Sequence, residues 1–121
     1  MTDWTPSAVS TLVAKWLSTG NQQSWNMSVI TTGVLRFQYS TDGASGTIAT
    51  ADSSVAPTVA DGESLWVRVT RVKSTGVHTF YTSADGVTWT QLGTTATAGA
   101  GAAMFSGSAN LQLVRFVESA D

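Results

Sequence analysis

The sequence contains no cysteine, few charged residues, one histidine and no long apolar run. Without cysteine, disulfides and cysteine-ligated metal sites are excluded. No stretch approaches the roughly 18 consecutive apolar residues of a membrane-spanning helix, so we expect no membrane partner. The first residues, MTDWTPSAVS, have neither a basic region nor an apolar core, so we expect no signal peptide and synthesis in a host cytoplasm.

Charge is scarce and evenly spread. Only 12% of the 121 residues are charged, about half the usual ~25%, and the net charge is −2. The six lysines and arginines form no basic run, so we expect no nucleic-acid partner. Many threonines, serines, alanines and glycines in place of charge suit an all-β protein with a neutral, hydroxyl-rich surface, or a surface covered by identical neighbours.

The titratable residues form no catalytic pattern. Glycoside hydrolysis needs two carboxylates about 5–10 Å apart across a cleft, whereas Glu63 is predicted in a loop and Glu118 lies near the C-terminus. His78 lies on a predicted strand, and no G-x-S-x-G nucleophile elbow is present. The aspartates occupy turn-like contexts and form no calcium-loop array. We therefore predict a non-enzymatic protein with no cofactor or metal site, leaving open one Ca²⁺ ion that bridges two loops.

Short alternating runs separated by turn residues predict an all-β fold. The length indicates a single domain over 1–121 with its core at about 9–117. Strands are predicted at 11–16, 24–31, 34–41, 46–51, 65–73, 77–84, 88–92 and 109–117, with a loose Gly/Ala/Thr-rich segment at 93–107. The inward-facing candidates are Leu12, Trp25, Met27, Val29, Leu35, Phe37, Leu65, Val67, Val69 and Phe80.

One stretch of twelve residues occurs twice in similar form. Residues 32–43, TGVLRFQYSTDG, and residues 75–86, TGVHTFYTSADG, share T-G-V-x-x-F-x-x-S-x-D-G at an offset of 43 positions. Each copy predicts a strand that ends in an Asp-Gly turn, at Asp42-Gly43 and Asp85-Gly86, with the preceding serine bonded to the turn backbone. We predict two hairpin units, one in each half of an antiparallel sandwich. The alternative is that turn chemistry converged on the same residues.

The segment from Ser83 to Trp89 resembles the Asp-box, S-x-D-x-G-x-T-W, of sialidase-type propellers, but it is one residue short. That box is a structural turn. The resemblance implies that Asp85 caps backbone amides and that Trp89 packs beneath the turn.

Outward-facing polar and aromatic residues suggest a binding surface. Trp66 and Arg68 lie opposite the Leu65 face of their strand, and Tyr81 lies opposite Phe80. The further candidates Arg36 and Gln38 lie opposite Phe37. If all five share one sheet, they form a platform on which sugar rings can stack while Arg and Gln bond hydroxyls. Alternatively, Trp66 packs under a loop or at a subunit contact, where Trp is enriched.

Five segments in order carry a family resemblance: DWTPSAVSTLVAKW (3–16), GNQQSWNMSV (20–29), GVLRFQYSTDG (33–43), DGESLWVRVTRV (61–72) and TGVHTFYTSADGVTWTQLG (75–93). Together they resemble the concanavalin A-like lectin/glucanase sandwich of the laminin-G-like type, in the version found in minor tail and other virion proteins of actinobacterial phages. The resemblance implies an antiparallel β-sandwich of jelly-roll type. The paired glutamates of the family's glucanases have no match here.

The chain begins and ends close to the limits of that pattern, so we expect either a minimal sandwich or edge strands supplied by neighbouring copies. The resemblance implies a non-enzymatic virion component, either a capsid decoration protein or a minor tail protein. The expected location is the virion, and the expected partners are other virion proteins and copies of the chain itself, with host-surface glycan as a candidate ligand. The alternative function is a free-standing carbohydrate-binding module.

Overall fold

The computed structural model describes residues 3–113, which form nine strands in two antiparallel sheets. The strands are β1 Ser10–Lys15, β2 Trp25–Val29, β3 Leu35–Ser40, β4 Ile48–Asp52, β5 Trp66–Val72, β6 Val77–Ser83, β7 Thr90–Gln91, β8 Ala96–Thr97 and β9 Leu111–Leu113. A 3-10 turn, Ser45–Thr47, precedes β4. No helix within the described range is long and apolar enough to cross a membrane.

The two sheets differ in width. Sheet A has five strands in the order β4-β3-β2-β1-β9. Sheet B has β5 on one side of β6, and both β7 and β8 on the other side. The predicted all-β antiparallel sandwich is thereby confirmed, whereas its jelly-roll connectivity stays a prediction.

Most strand positions agree with the alternation in the sequence, and the short strands differ. The predicted strand 88–92 is reduced to β7, and β8 lies inside the segment predicted to be a loop. Small residues allow that segment to lie along β6, and just before β6 the Ala98 N–H donates to the carbonyl of Gly76 at 2.9 Å. The predicted closing strand is described only as β9, because residues 114–117 lie outside the described range.

The predicted core is confirmed. Five candidates are buried: Met27, Val29, Leu35, Phe37 and Phe80. The other five are partly buried and pack against them: Leu12, Trp25, Leu65, Val67 and Val69. The core also contains residues outside the candidate set, namely Trp4, Tyr39, Ala51 and Leu92. Trp4 enters it from a segment without alternation, held by Asp61 Oδ1, which accepts its backbone N–H at 2.8 Å.

The two similar segments form equivalent strands in opposite sheets, as predicted. The first contains β3 of sheet A and the second contains β6 of sheet B. At the ends of these strands, Ser40 Oγ accepts the Gly43 N–H at 2.8 Å, and Ser83 Oγ accepts the Gly86 N–H at 2.9 Å. Gly43 and Gly86 have φ of 93° and 75°, a region that glycine enters without steric cost. The shared S-x-D-G sequence is therefore one turn geometry used twice.

Alternation along β5 creates an inner and an outer surface on sheet B. Val67 and Val69 are partly buried against the core, whereas Trp66 and Arg68 are exposed. Because successive side chains of a strand point to opposite faces, the register of the sheet decides which residues meet on the outer surface.

Candidate binding face

The outer surface of sheet B carries an exposed cluster of aromatic rings around an arginine. Arg68 of β5 is the direct cross-strand partner of Tyr81 of β6, and Trp66 is the partner of Ser83. The Trp66 side chain is 59% exposed. The structure therefore brings together three of the five residues that the sequence predicted for a sugar platform.

Trp66 lies against the second Asp-Gly turn. A Cβ atom built on Gly86 would be 3.0 Å from Cε2 of the Trp66 indole, closer than ordinary van der Waals contact. The absence of a side chain at Gly86 thus lets the indole lie flat against the turn. This contact connects the repeated turn to the exposed surface, because the glycine that permits the turn also supports the ring.

Trp89 belongs to the same surface, where its ring contacts Arg68, and its predicted packing beneath the turn stays a prediction. The guanidinium carbon of Arg68 lies 4.4 Å from the ring centroid of Trp89 and 4.4 Å from that of Tyr81. Tyr81 pairs with Gln91 of β7, and Trp89, two residues before Gln91, falls on the same side of the strand. Alternation extended backwards from β7 could have indicated this position. Each cation–π contact contributes about 0.5–1 kcal/mol at an exposed site, enough to orient a flexible side chain.

Arg36 and Gln38 do not join this surface, so the condition that all five candidates share one sheet is not met. Both lie on β3, in the other sheet. Arg36 donates from Nε and Nη2 to the Asp52 carboxylate at 2.7 Å each, and Gln38 Nε2 donates to Thr50 Oγ1 at 3.0 Å. The hydrogen bond to Asp52 raises the pKa of Arg36. The outer surfaces of the two sheets of a sandwich point away from each other, which separates these residues from Trp66.

We call Trp66, Arg68, Tyr81 and Trp89 together the aromatic–arginine face. Beside it, Thr70 and Thr79 form the next cross-strand pair on the same surface. The face therefore offers ring surfaces for stacking, one cation, and neighbouring hydroxyls that can donate or accept hydrogen bonds. Sequence reasoning missed the two threonines because threonine is common throughout this chain.

Asp42-Gly43 and Asp85-Gly86 each lie in a bend in which the aspartate accepts backbone N–H groups. Hydrogen bonds from the backbone of Thr88 and then Val87, followed by one from the Ser83 hydroxyl, lower the pKa of Asp85 to about 2. The pKa of Asp42 is also lowered, chiefly by the Thr47 hydroxyl and then by the Ala44 backbone N–H. Both carboxylates thus serve as caps for their own loops.

The expected absence of a metal site and of catalytic activity stays a prediction from the sequence. Between residues 3 and 113, no three side chains of His, Asp or Glu come together as a set of metal ligands. His78 is fully buried at 0% exposure, with Nδ1 2.9 Å from the Gly76 carbonyl oxygen. It lies 5.8 Å from the Phe37 ring, centroid to centroid, and is therefore part of the core.

The exposed aromatic–arginine face is thus the candidate functional site. Its function has to be inferred from its residues and their arrangement. The family resemblance drawn from the sequence stays a prediction. In comparisons with known proteins, no protein-family model, curated protein or solved structure matches this chain.

Proposed function

We propose that this protein is a non-enzymatic component of a bacteriophage virion that binds carbohydrate through the aromatic–arginine face. The observation that carries the carbohydrate part is the placement of Trp66, Tyr81 and Trp89 around Arg68 on an open sheet surface. Flat ring surfaces suit the apolar faces of sugar rings, and the neighbouring threonine pair suits their hydroxyls.

The exposure of Trp66 supports this proposal. An indole left 59% exposed gains little from folding, so its position on the surface is best explained by a ligand or partner that covers it. Trp66 contacts the chain's own turn at Gly86 and still presents more than half of its surface to solvent. A ring that merely packed under a loop would be buried. This observation favours a binding role over the packing role considered from sequence.

The virion part of the proposal depends on the sequence resemblance and on the edges of the sheets. Within the described residues, β5 pairs only with β6, and β9 pairs only with β1. Unpaired edges invite a strand from a neighbouring molecule, as expected for a subunit of a symmetric assembly. We propose copies of the chain and other virion proteins as its partners, on either a capsid or a tail.

Binding to polysaccharide tests the carbohydrate part. The protein is titrated against actinobacterial cell-wall polysaccharide and a glycan array, alongside Trp66→Ala, Trp89→Ala and Gln38→Ala. We expect each tryptophan variant to lose about tenfold or more in affinity, since stacking of one ring contributes on the order of 1–2 kcal/mol. Gln38→Ala is the control, because it removes a polar side chain from the outer surface of the opposite sheet.

The outcomes separate the candidate functions. Binding that survives both tryptophan substitutions would remove the aromatic–arginine face as the site. No binding by the wild-type chain at high concentration would contradict the carbohydrate proposal and leave attachment to another virion protein. The alternative, a free-standing carbohydrate-binding module, predicts binding by a monomer, whereas a decoration subunit should give the mass of a symmetric oligomer in light scattering.

A further inference from the structure

We propose that the ligand of the aromatic–arginine face is an acidic saccharide whose carboxylate is bound by Arg68. This inference rests on the proposed carbohydrate-binding function and adds the chemical class of the ligand. It is derived from the state of the Arg68 side chain, which differs from those of the other described arginines.

The guanidinium of Arg68 has no carboxylate and no hydrogen-bond acceptor as a partner in the part of the chain that the structure describes. Arg36 forms an ion pair with Asp52, with Nε 2.7 Å from the carboxylate. Arg71 donates through Nη2 to the carbonyl oxygens of Gly99 at 3.0 Å and Ala102 at 2.6 Å. Within residues 3–113, Arg68 alone of these three arginines forms neither a hydrogen bond nor a salt bridge, and its side chain is exposed.

The rings hold Arg68 while leaving its donors available. Its guanidinium carbon lies 4.4 Å from the centroids of both Tyr81 and Trp89. A cation–π contact needs no hydrogen bond from the guanidinium, and within residues 3–113 the N–H donors of Arg68 have no hydrogen-bond acceptor, so they stay available. An exposed arginine without such contacts would move among many rotamers. Here the two rings already restrict the side chain before a ligand binds, so binding incurs a smaller entropic cost.

The geometry of a guanidinium selects the ligand group. Its planar set of N–H donors matches a carboxylate with two parallel hydrogen bonds. A sugar ring stacked on Trp66 would lie beside Arg68, which is two residues further along the same outer side of β5. A uronic acid combines both requirements in one unit, a pyranose ring with an attached carboxylate.

The carboxylate of Asp85, in the turn that supports Trp66, does not serve as the ion-pair partner of Arg68. Asp85 precedes Gly86, the residue that supports Trp66. Its Oδ1 accepts the backbone N–H groups of Val87 and Thr88 at 2.8 Å each and the Ser83 hydroxyl at 2.9 Å. The carboxylate is thus bound within its own loop and forms no salt bridge with Arg68.

The test compares acidic polymers with neutral forms of the same polymers. Polygalacturonate, hyaluronan and alginate are titrated together with their carboxyl-methylated forms and with neutral dextran. We expect binding to at least one acidic polymer. The affinity for its methylated form should be lower by about tenfold or more, because esterification removes the charge while retaining the sugar rings. Raising the salt concentration should weaken binding to the acidic polymer more than any residual binding to the methylated form.

Variants of the protein assign the effect to one side chain. Arg68→Gln should reduce binding to the acidic polymer about tenfold, and Arg68→Lys should recover only part of it, because lysine retains the charge but lacks the planar donors. Lys73→Gln is the matched control, since it removes the same charge from an exposed position just after β5. Circular dichroism spectra of the variants verify that each one is folded.

Two results would overturn this inference in different ways. Trp66-dependent binding to dextran or to methylated polymers that Arg68→Gln leaves unchanged would contradict the acidic ligand while retaining the proposed carbohydrate function. Failure of the wild-type protein to bind any polymer, acidic or neutral, would contradict the proposed function and the inference together.

Discussion

His78 occupies, in the second copy of the repeated segment, the position that Leu35 occupies in the first. Both side chains are fully buried. Nδ1 of His78 is 2.9 Å from the Gly76 carbonyl oxygen, whereas Nε2 has no hydrogen-bond partner among the described residues. Burial, followed by the charge of Arg71, lowers the pKa of His78. The core therefore holds a neutral imidazole at the position that a leucine occupies in the first copy.

This position makes a prediction about pH. Because the folded pKa of His78 is below its unfolded value of about 6.5, the unfolded chain binds a proton more readily. The contribution of neutral His78 to the free energy of unfolding is therefore fully present above about pH 6.5. It is lost as the pH falls from there through the folded pKa. His78 is the only histidine, so no other ordinary side-chain pKa lies in this window. We expect the urea midpoint of the wild-type protein to fall between pH 7 and pH 5.

The variant His78→Leu provides the check. It places the residue of the first copy into the second, so the decrease between pH 7 and pH 5 should largely disappear. At pH 7 the free energy of unfolding should rise by about 1 kcal/mol, because an unpaired buried nitrogen is removed. The substitution removes the contact of Nδ1 with the Gly76 carbonyl, but this carbonyl keeps a hydrogen-bond donor, because it also accepts the Ala98 N–H at 2.9 Å. An unchanged pH dependence in the variant would contradict the argument.

At the scale of elements, the repeated turn depends on glycine at a close approach. A Cβ on Gly43 would lie 2.7 Å from the Phe105 ring and even closer to the carbonyl oxygen of Asn21. The φ angle of Gly43 is 93°, a conformation that other residues rarely adopt. We predict that Gly43→Ala lowers the free energy of unfolding by about 2–4 kcal/mol, since both backbone strain and a steric clash are introduced. Chemical denaturation followed by circular dichroism measures the change.

Gly46 is the control for this prediction. It lies three residues further on, in the 3-10 turn, with no positive φ and with nothing within 4 Å of a built Cβ. Gly46→Ala should change the free energy of unfolding by no more than about 0.5 kcal/mol. Equal effects of the two substitutions would show that the close approach at Gly43 has no energetic consequence.

The elements also show what could be predicted from the sequence. Long alternating runs such as β3, β5 and β6 were predictable, because alternation and Asp-Gly turns are local signals. The pairing of β7 and β8 with β6 was not, since strands of two residues carry no period and form only where the rest of the fold places them. Alternation likewise identified Arg36 and Trp66 as outward-facing but could not say that they lie on opposite sheets. That assignment depends on the connection between β4 and β5.

At the scale of the whole molecule, sheet A extends beyond sheet B. The register pairs Leu111 with Lys15 and Leu113 with Val13, so both leucines share the side of sheet A that carries Met27 and the core. They are nevertheless 61% and 82% exposed. Apolar side chains on the core side of a sheet normally pack against a facing layer, which the described strands of sheet B do not supply at this edge.

We predict that a second copy of the chain covers this edge. Leu111→Ser combined with Leu113→Ser should convert the oligomer to a monomer in sedimentation velocity, with little change in melting temperature, because both side chains are already exposed. Val87→Ser, at an 81% exposed position in the Asp85 loop, is the control. A wild-type monomer, or an oligomer that the double substitution leaves intact, would contradict the prediction.

The pairing of β1 with β9 has a consequence for the order of folding. Val13 and Leu113 are register partners, yet nearly the whole described chain separates them. Hairpins such as β2–β3 and β5–β6 close over short turns, whereas joining β9 to β1 requires closure of a very long loop. We expect the local hairpins to form before the rate-limiting barrier and β9 to dock after it. Substitutions in β9 should then accelerate unfolding while leaving the rate of folding almost unchanged.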